Sequence, residues 1–410
     1  MGGEARGWRD CKLGDVLELK RGYDLPQQRR KPGVVPIVSS SGISGFHSQT
    51  MVKAPGVVTG RYGTIGEVFY VTSDFWPLNT TLYVRDFKCN DPRFISYFLK
   101  TINFQSCSDK AAVPGVNRNH LHELSVRVPP LTEQRAIAHI LGTLDDKIEL
   151  NRRTNETLEA MARALFKSWF VDFDPVRAKA AGRKPAGMDE ATAALFPDGF
   201  EQSELGEIPR GWRVVNFANF ASLNPEIWSK KDYPDRIEYV DLSNTKWGRI
   251  ESTATYSKKD APSRAQRILR SRDTIVGTVR PGNGSYALID HEGLTGSTGF
   301  AVLRPKHETF AEFIYLAATS AQNLDMLAQL ADGGAYPAVR AEVIIEQPVV
   351  CPPNNTIARF SATTASLLSR FAQSERESRS LAKLRDTLLP RLLSGEVSVA
   401  HLVERVEAAL

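Results

Sequence analysis

The chain has 410 residues, of which 42% are hydrophobic and 24% charged, close to the averages of globular proteins. That length predicts two or three domains, and no apolar run reaches the roughly 18 residues that a membrane span needs. The net charge of +5 is too mild to name a partner. Residues 1–10 carry charges with no apolar stretch behind them, so no secretory signal is expected. Cys11, Cys89, Cys107 and Cys351 are scattered, with no C-x-x-C, which excludes a zinc ribbon or thioredoxin motif and predicts a reducing, cytoplasmic setting.

Charge is unevenly spread. Residues 1–130 carry 17 basic and 11 acidic side chains, whereas 205–350 carry 17 of each. The first segment is the better candidate for a footprint on a polyanion, or else it is a solvated basic surface. Val57-Val58-Thr59 predicts a buried strand, which runs into the 60–66 loop and then a second strand at 68–71. Three glycines in seven residues predict a tight loop where backbone approaches something closely. Arg61 and Tyr62 at its tip fit a phosphate or a base, and a plain hairpin turn is the alternative. Asn79-Thr80-Thr81 interrupts a strand-like run, and 93–100 fits a helix. Residues 110–119 predict a turn-rich basic and amide loop carrying Lys110, Asn117 and Arg118. Such side chains read base edges and hold phosphates, and Ser40, Asn79 and Thr80 join them as candidate DNA contacts. His120-Leu121-His122-Glu123 reads as the end of a loop before a strand at 126–128, and no metal site is predicted.

After Pro129-Pro130 the pattern becomes helical. Thr132 is the expected N-cap, with Glu133 and Gln134 in the first turn. A 4-3-4-3 spacing then joins Ile137, Leu141, Leu144, Ile148, Asn151, Asn155, Leu158, Ala162, Leu165 and Trp169. Proline and glycine after Phe170 are expected to stop this helix and to open a structured crossing segment with a flexible middle.

The chain then repeats itself. Gly7-Trp8-Arg9 recurs as Gly211-Trp212-Arg213, an offset of 204. Ala112-Val113-Pro114 answers Ala335-Tyr336-Pro337, and Val128-Pro129-Pro130 answers Cys351-Pro352-Pro353, both at 223. The growing offset predicts insertions inside the second globular half. The loops answering those of the first half are 278–284 and 333–340. They supply Arg280, Asn283, Tyr336 and Arg340 as candidate DNA contacts, and Asn244 and Lys246 are added. An offset of 223 also maps the helical seam onto Phe360, Thr364, Leu367, Phe371, Ser374, Ser378, Leu381, Arg385, Leu388 and Leu392. Both series have the heptad period of a coiled coil, and Asn151/Asn155 and Ser374/Ser378 mark a matched polar layer. A helix–helix pair is favoured over two separate amphipathic helices. Each helix of ~40 residues is about 60 Å long. An antiparallel pairing would relate two similar heads by a pseudo-twofold, as in dimeric readers of two DNA half-sites.

Catalytic motifs are missing. Asn224-Pro225-Glu226 and Cys351-Pro352-Pro353-Asn354 do not fit an adenine methyltransferase centre. No G-x-x-x-x-G-K-[ST] occurs, and Pro234-Asp235 with Glu238 lacks the Glu-x-Lys of a metal-dependent nuclease. A DNA-reading adaptor is the leading function. A methyltransferase with a degenerate centre and a coiled-coil scaffold without DNA binding are the alternatives.

Several stretches resemble the specificity subunits of type I DNA restriction–modification enzymes. They include Pro129-Pro130-Leu131-Thr132-Glu133-Gln134-Arg135 through Leu144-Asp145-Asp146-Lys147-Ile148, and Ala164-Leu165-Phe166-Lys167-Ser168-Trp169-Phe170. Ser203-Glu204-Leu205-Gly206-Glu207-Ile208-Pro209 and Leu384-Arg385-Asp386-Thr387-Leu388-Leu389-Pro390-Arg391 extend the likeness over nearly the whole chain. The resemblance implies an α+β fold: two similar α/β target recognition domains separated by two long helices that form an antiparallel coiled coil. The implied division is 1–130 for the first recognition domain, 131–172 for the central helix, 173–207 for a linker, 208–352 for the second recognition domain and 353–410 for the C-terminal helix. It further implies a bipartite, asymmetric double-stranded DNA site and docking of two methylation subunits, with restriction/translocase subunits in a complete system. S-adenosylmethionine, ATP and Mg would be bound by those partners, and the chain itself would hold no cofactor and perform no catalysis.

Overall fold

The computed structural model describes residues 7–107, 115–334, 336–397 and 399. The chain divides into two compact units, Met1–Glu149 with Ser378–Leu410, and Leu150–Glu377. Among the described residues no helix is long and apolar enough to cross a membrane.

In the first unit, an outer pair of strands joins the start of the head to its end, Arg9–Lys12 against Ser125–Val128. Inside it lies a four-stranded antiparallel sheet in the order Glu18–Arg21, Thr81–Asp86, Gly56–Gly60, Val68–Val71. Val57 and Val58 are fully buried, as β-branched side chains in a central strand should be. A second sheet pairs Gly42–His47 with Val35–Ser39, and Val35–Ser39 runs parallel to Trp76–Pro77. The helix Pro92–Lys100 is capped by Asp91, whose carboxylate accepts the Phe94 N–H at 2.9 Å. It buries Phe94, Ile95, Phe98 and Leu99 in a core that also takes Ile137 and Leu141 from the first long helix and Leu392 from the second.

The second unit repeats this plan. Its outer pair is Arg213–Asn216 against Pro348–Cys351, with Arg213 opposite Cys351 as Arg9 is opposite Val128. Those positions reproduce the offsets of 204 and 223 read from the sequence. The inner sheet has the same order, Ala221–Leu223, Phe300–Pro305, Thr274–Gly277, Tyr286–Leu288. The distal sheet gains a strand and runs Ala254–Ser257, Arg236–Val240, Leu294–Ser297, Ala265–Ile268. A small hairpin, Thr245–Lys246 with Arg249–Ile250, is inserted between its first two strands in chain order. These additions, with the helix Ala321–Leu330, are where the offset grows.

The long helices are Leu131–Phe170 and Asn354–Leu393. They pair in antiparallel fashion within each unit. In the first, Arg385 meets Asp145 at 2.7 Å. In the second, Phe360 packs on Trp169 and Phe170, with ring centroids 5.6 and 4.9 Å apart. Every seam position from Ile137 to Trp169 and from Phe360 to Leu392 is buried or half-buried. The polar layer is present, but its partners are acidic residues as well as the serine region. Asn151 donates to Glu377 at 2.9 Å and to the Ser374 carbonyl at 3.4 Å. Asn155 donates to Glu375 at 2.7 Å and to the Phe371 carbonyl at 3.3 Å.

Three local expectations need correction. Thr132 is not the N-cap: the helix opens at Leu131, and the Pro130 carbonyl accepts the N–H groups of Glu133 and Gln134, both at 3.0 Å. Gln134, 2% exposed, instead ties the helix start to the head through Asn90 Oδ1 and the Asp91 N–H. Pro175 does not stop the first long helix. The chain turns at Phe173, whose φ is 55°, and Pro175 opens the short helix Asp174–Ala180. His120 and His122 lie on a helix, Arg118–His122, rather than in a loop.

A charged cluster braces the second head. Glu226 accepts from Arg270 at 3.0 Å and from Arg304, and Arg304 also grips buried Asp273 at 2.9 Å. Hydrogen bonds from Arg270 and then Arg304 pull the Glu226 carboxyl down to about 2 from its ordinary 4.5. A depressed carboxylate contributes stability above its unfolded value and loses it as pH falls through the folded one. The wild-type melting temperature should therefore fall between pH 4.5 and about 2 more steeply than that of Glu226→Gln. Parallel acid limbs in calorimetry would remove Glu226 from the account.

Candidate nucleic-acid interface

The 60–66 loop of the first head is shaped by its glycines. A Cβ on Gly60 would lie 1.9 Å from the Thr64 carbonyl, so the chain can fold back there only as glycine. The loop is then fastened at both ends. The N–H groups of Arg61 and Tyr62 both donate to the Thr80 carbonyl, at 2.9 and 3.2 Å, and the Val116 N–H donates to the Arg61 carbonyl at 3.1 Å. Tyr62 bridges to Gly115, where a Cβ would meet its ring at 2.2 Å. The Arg61 guanidinium lies 4.6 Å over the Tyr62 ring. This stacking pre-positions a cation beside an aromatic surface.

Most first-head candidates gather here. Arg61, Tyr62, Asn117 and Arg118 line one cleft of about 320 Å³. Ser40 borders the same loop, since a Cβ on Gly63 would be 3.3 Å from its Oγ. Thr80 supplies the carbonyl that holds the loop, and its own hydroxyl is buried without a hydrogen-bond partner among the described residues. Asn117 ends the loop, as expected, whereas Arg118 is the first residue of a helix rather than a loop residue. Asn117 caps the helix Arg118–His122 by accepting the Asn119 N–H at 3.0 Å, and Arg118 stands in its first turn, exposed. Asn79 donates to Asp24, which also pairs with Arg21 at 3.4 Å. Arg21 also lines the cleft, a role not legible in the sequence because an edge-strand arginine carries no local signal. Lys110 lies outside the described residues. The His122 ring accepts the Leu19 N–H at 3.0 Å, and burial, with Arg118 nearby, pushes its imidazole below its ordinary pKa.

The second head repeats the clasp with different side chains. The Thr278 N–H donates to the Gly299 carbonyl at 2.8 Å, the Val339 N–H donates to the Thr278 carbonyl at 2.9 Å, and Val279 bridges to Ala338. Arg280 follows at φ 47°, with its guanidinium 4.8 Å over the Tyr336 ring. The arginine–tyrosine stack thus recurs, now with one residue from each loop. Tyr336 is 73% exposed. Arg340 is the N-cap position of the helix Ala341–Ile345, the place held by Asn117 in the first head, and it is exposed. Asn283 is exposed at the end of the 3-10 turn Pro281–Asn283. Lys246 is exposed on the inserted hairpin. Asn244 is committed to structure: its Oδ1 accepts the Asp241 N–H at 2.9 Å in a capping box.

Two heads of one topology, each offering a cationic, aromatic and amide loop cluster and each resting on paired long helices, define a duplicated recognition protein. Residues 5–160, the first head and most of the first long helix, match the family model of the type I restriction modification DNA specificity domain. The chain is 27% identical over 341 residues to the HindI specificity subunit of Haemophilus influenzae, covering 71% of this chain and 72% of that relative. It is 23% identical over 441 residues to the MjaIX specificity subunit of Methanocaldococcus jannaschii, covering 97% and 95%. The fold is like that of the crystal structure of a type I S subunit from M. genitalium, with a TM-score of 0.61 at 16% identity, covering 95% of this chain and 97% of that one. The resemblance to type I specificity subunits carried by the motifs therefore holds along the chain.

Proposed function

We propose that this chain is the DNA sequence-specificity subunit of a type I restriction–modification complex. Each head reads one half of a bipartite, asymmetric double-stranded site. The observation that carries this reading is the clasped loop pair, present in both heads with one topology and with different side chains at its tip. Constant framework with variable tips is what two unlike half-sites require. The long helices dock two methylation subunits, which bind S-adenosylmethionine and methylate adenine N6. ATP and Mg belong to a restriction/translocase subunit where one is present, and the chain performs no catalysis of its own.

Methylome sequencing of cells expressing the chain with its methylation subunits tests the whole reading. A modified bipartite motif is expected, and transfer from labelled S-adenosylmethionine to DNA by the purified chain alone would overturn the non-catalytic role. At the level of residues, Arg61→Ala and Arg340→Ala should each weaken specific binding by about 1–3 kcal/mol at matched salt. Unchanged affinity in a titration would remove either from the interface.

A further inference from the structure

The inserted hairpin of the second head has an unusual turn. Its strands Thr245–Lys246 and Arg249–Ile250 are joined by Trp247 and Gly248 alone, with φ of 48° and 83°. A two-residue hairpin with both central residues at positive φ calls for Asn-Gly, Asp-Gly or Gly-Gly. A bulky aromatic in the left-handed region is an outlier, and such strain marks positions held for use. Gly248 meets the need; Trp247 does not. The ring packs edge-on against Tyr286, with centroids 6.1 Å apart, but the turn itself does not call for tryptophan at this position.

The ring is well placed for use. Trp247 is 56% exposed. Its backbone N–H donates to the Gly284 carbonyl at 2.7 Å, and a Cβ on Gly284 would fall 2.6 Å from its ring. It therefore lies on the loop that presents Arg280 and Asn283. Residues 244–249 and 278–284 hold Lys246, Arg249 and Arg280 and no acidic side chain. The base of the hairpin is anchored: Arg249 donates to the Arg152 carbonyl at 3.2 Å and pairs with Glu375 at 3.4 Å. In the first head the equivalent strands Val35–Ser39 and Gly42–His47 are joined directly at Ser40-Ser41, beside the 60–66 loop. The hairpin thus replaces a two-residue turn at the candidate DNA face, and among the described residues it occurs in one head only.

We propose that Trp247 is a specificity-determining residue of the second head, laying its ring against base edges and deoxyribose of that half-site. This rests on the proposed reading of the chain as a DNA specificity subunit. Apolar contacts of this kind discriminate thymine methyl groups in the major groove and wedge between steps in the minor groove. Lys246 and Arg280 hold the backbone while the ring reads or deforms what lies between.

The test separates fold from recognition. Trp247→Asn suits the turn, so the purified chain should keep its melting temperature within about 2 °C. In the complete complex with its methylation subunits, the same substitution should relax the modified motif at one or two base pairs of one half-site and leave the other half unchanged. Affinity for the wild-type site should fall by about 10-fold, and Trp247→Phe should recover part of it. An unchanged motif and affinity for Trp247→Asn would overturn the role of Trp247 while the bipartite motif still stands. Loss of both half-sites with a lowered melting temperature would make the residue merely structural and overturn it too. A wild-type complex that modifies no bipartite motif would overturn this proposal and the function beneath it together.

Discussion

Seven residues added to each long helix should lengthen the recognised spacer and leave both half-sites as they are. The insertions belong between Leu144 and Leu158 and between Leu367 and Leu381, within the seam that carries the polar layer. A heptad adds about 10 Å of rise and rotates the helix to about 20° short of two full turns, so the apolar seam stays in register. With base pairs every 3.4 Å along the duplex, about three base pairs is the ceiling on the change. Both helices must grow together. The pair is antiparallel, and an insertion in one alone would slide Asn151 and Asn155 away from Glu377 and Glu375. That single insertion should cost assembly rather than alter the spacer, since buried amides without partners are expensive. Methylome sequencing reads the result. Altered half-sites with an unchanged spacer would end the idea that helix length sets the spacing.

Much of this fold was legible because its strongest signals are periodic or steric. The seam from Ile137 to Leu165, and its echo from Phe360 to Leu388, follows from a repeat near 3.5 residues whose matched register and matched polar layer favour paired helices. The 60–66 loop follows from glycine chemistry. What stayed hidden depends on pairing across the fold. Asn151 and Asn155 stood out as polar seam residues, but their acidic partners depend on antiparallel register, which the period does not encode. The capping by Asn117 and Asn244 is not legible in the sequence, because amides serve equally in caps and in base reading. Thr132 looked like a cap because its residue type fits, while the preceding proline carbonyl does the work. Trp247-Gly248 escaped notice as a turn because it lacks the asparagine or aspartate that announces one.

The second large effect concerns how the first long helix holds the second head. Arg163 lies near the end of that helix and is embedded in the head rather than in solvent. Its guanidinium donates to Glu159 at 2.8 Å, to the Tyr286 hydroxyl at 2.9 Å and to the Thr319 carbonyl at 2.9 Å. It also lies 5.4 Å from the Tyr286 ring and 5.8 Å from the Tyr315 ring. Burial raises the pKa of Tyr286, up to about 12, and that of Tyr315 well above its ordinary value, so both stay neutral donors and acceptors around the cation. Removing Arg163 leaves Glu159, whose side chain is 17% exposed, with only the Tyr315 hydroxyl at 3.4 Å as a partner among the described residues, and takes a donor from the Thr319 carbonyl at the end of the helix Ala311–Ala318. Breaking such a largely buried pair from one side costs about 3 kcal/mol, because the remaining charge is only partly returned to water. Arg163→Ala should therefore lower unfolding stability by about that amount in urea. Arg163→Met with Glu159→Leu should recover most of it, since apolar groups of similar volume often replace a buried pair without loss. Arg163→Lys should recover less, because an ammonium cannot span three acceptors with a planar fork. Equal stability of wild type and Arg163→Ala would show that water screens the site and that aromatic packing alone holds helix to head. The double variant also serves function: if it folds and still supports a bipartite motif, the ionic network serves cohesion, and sequence reading stays with the loops at the tips.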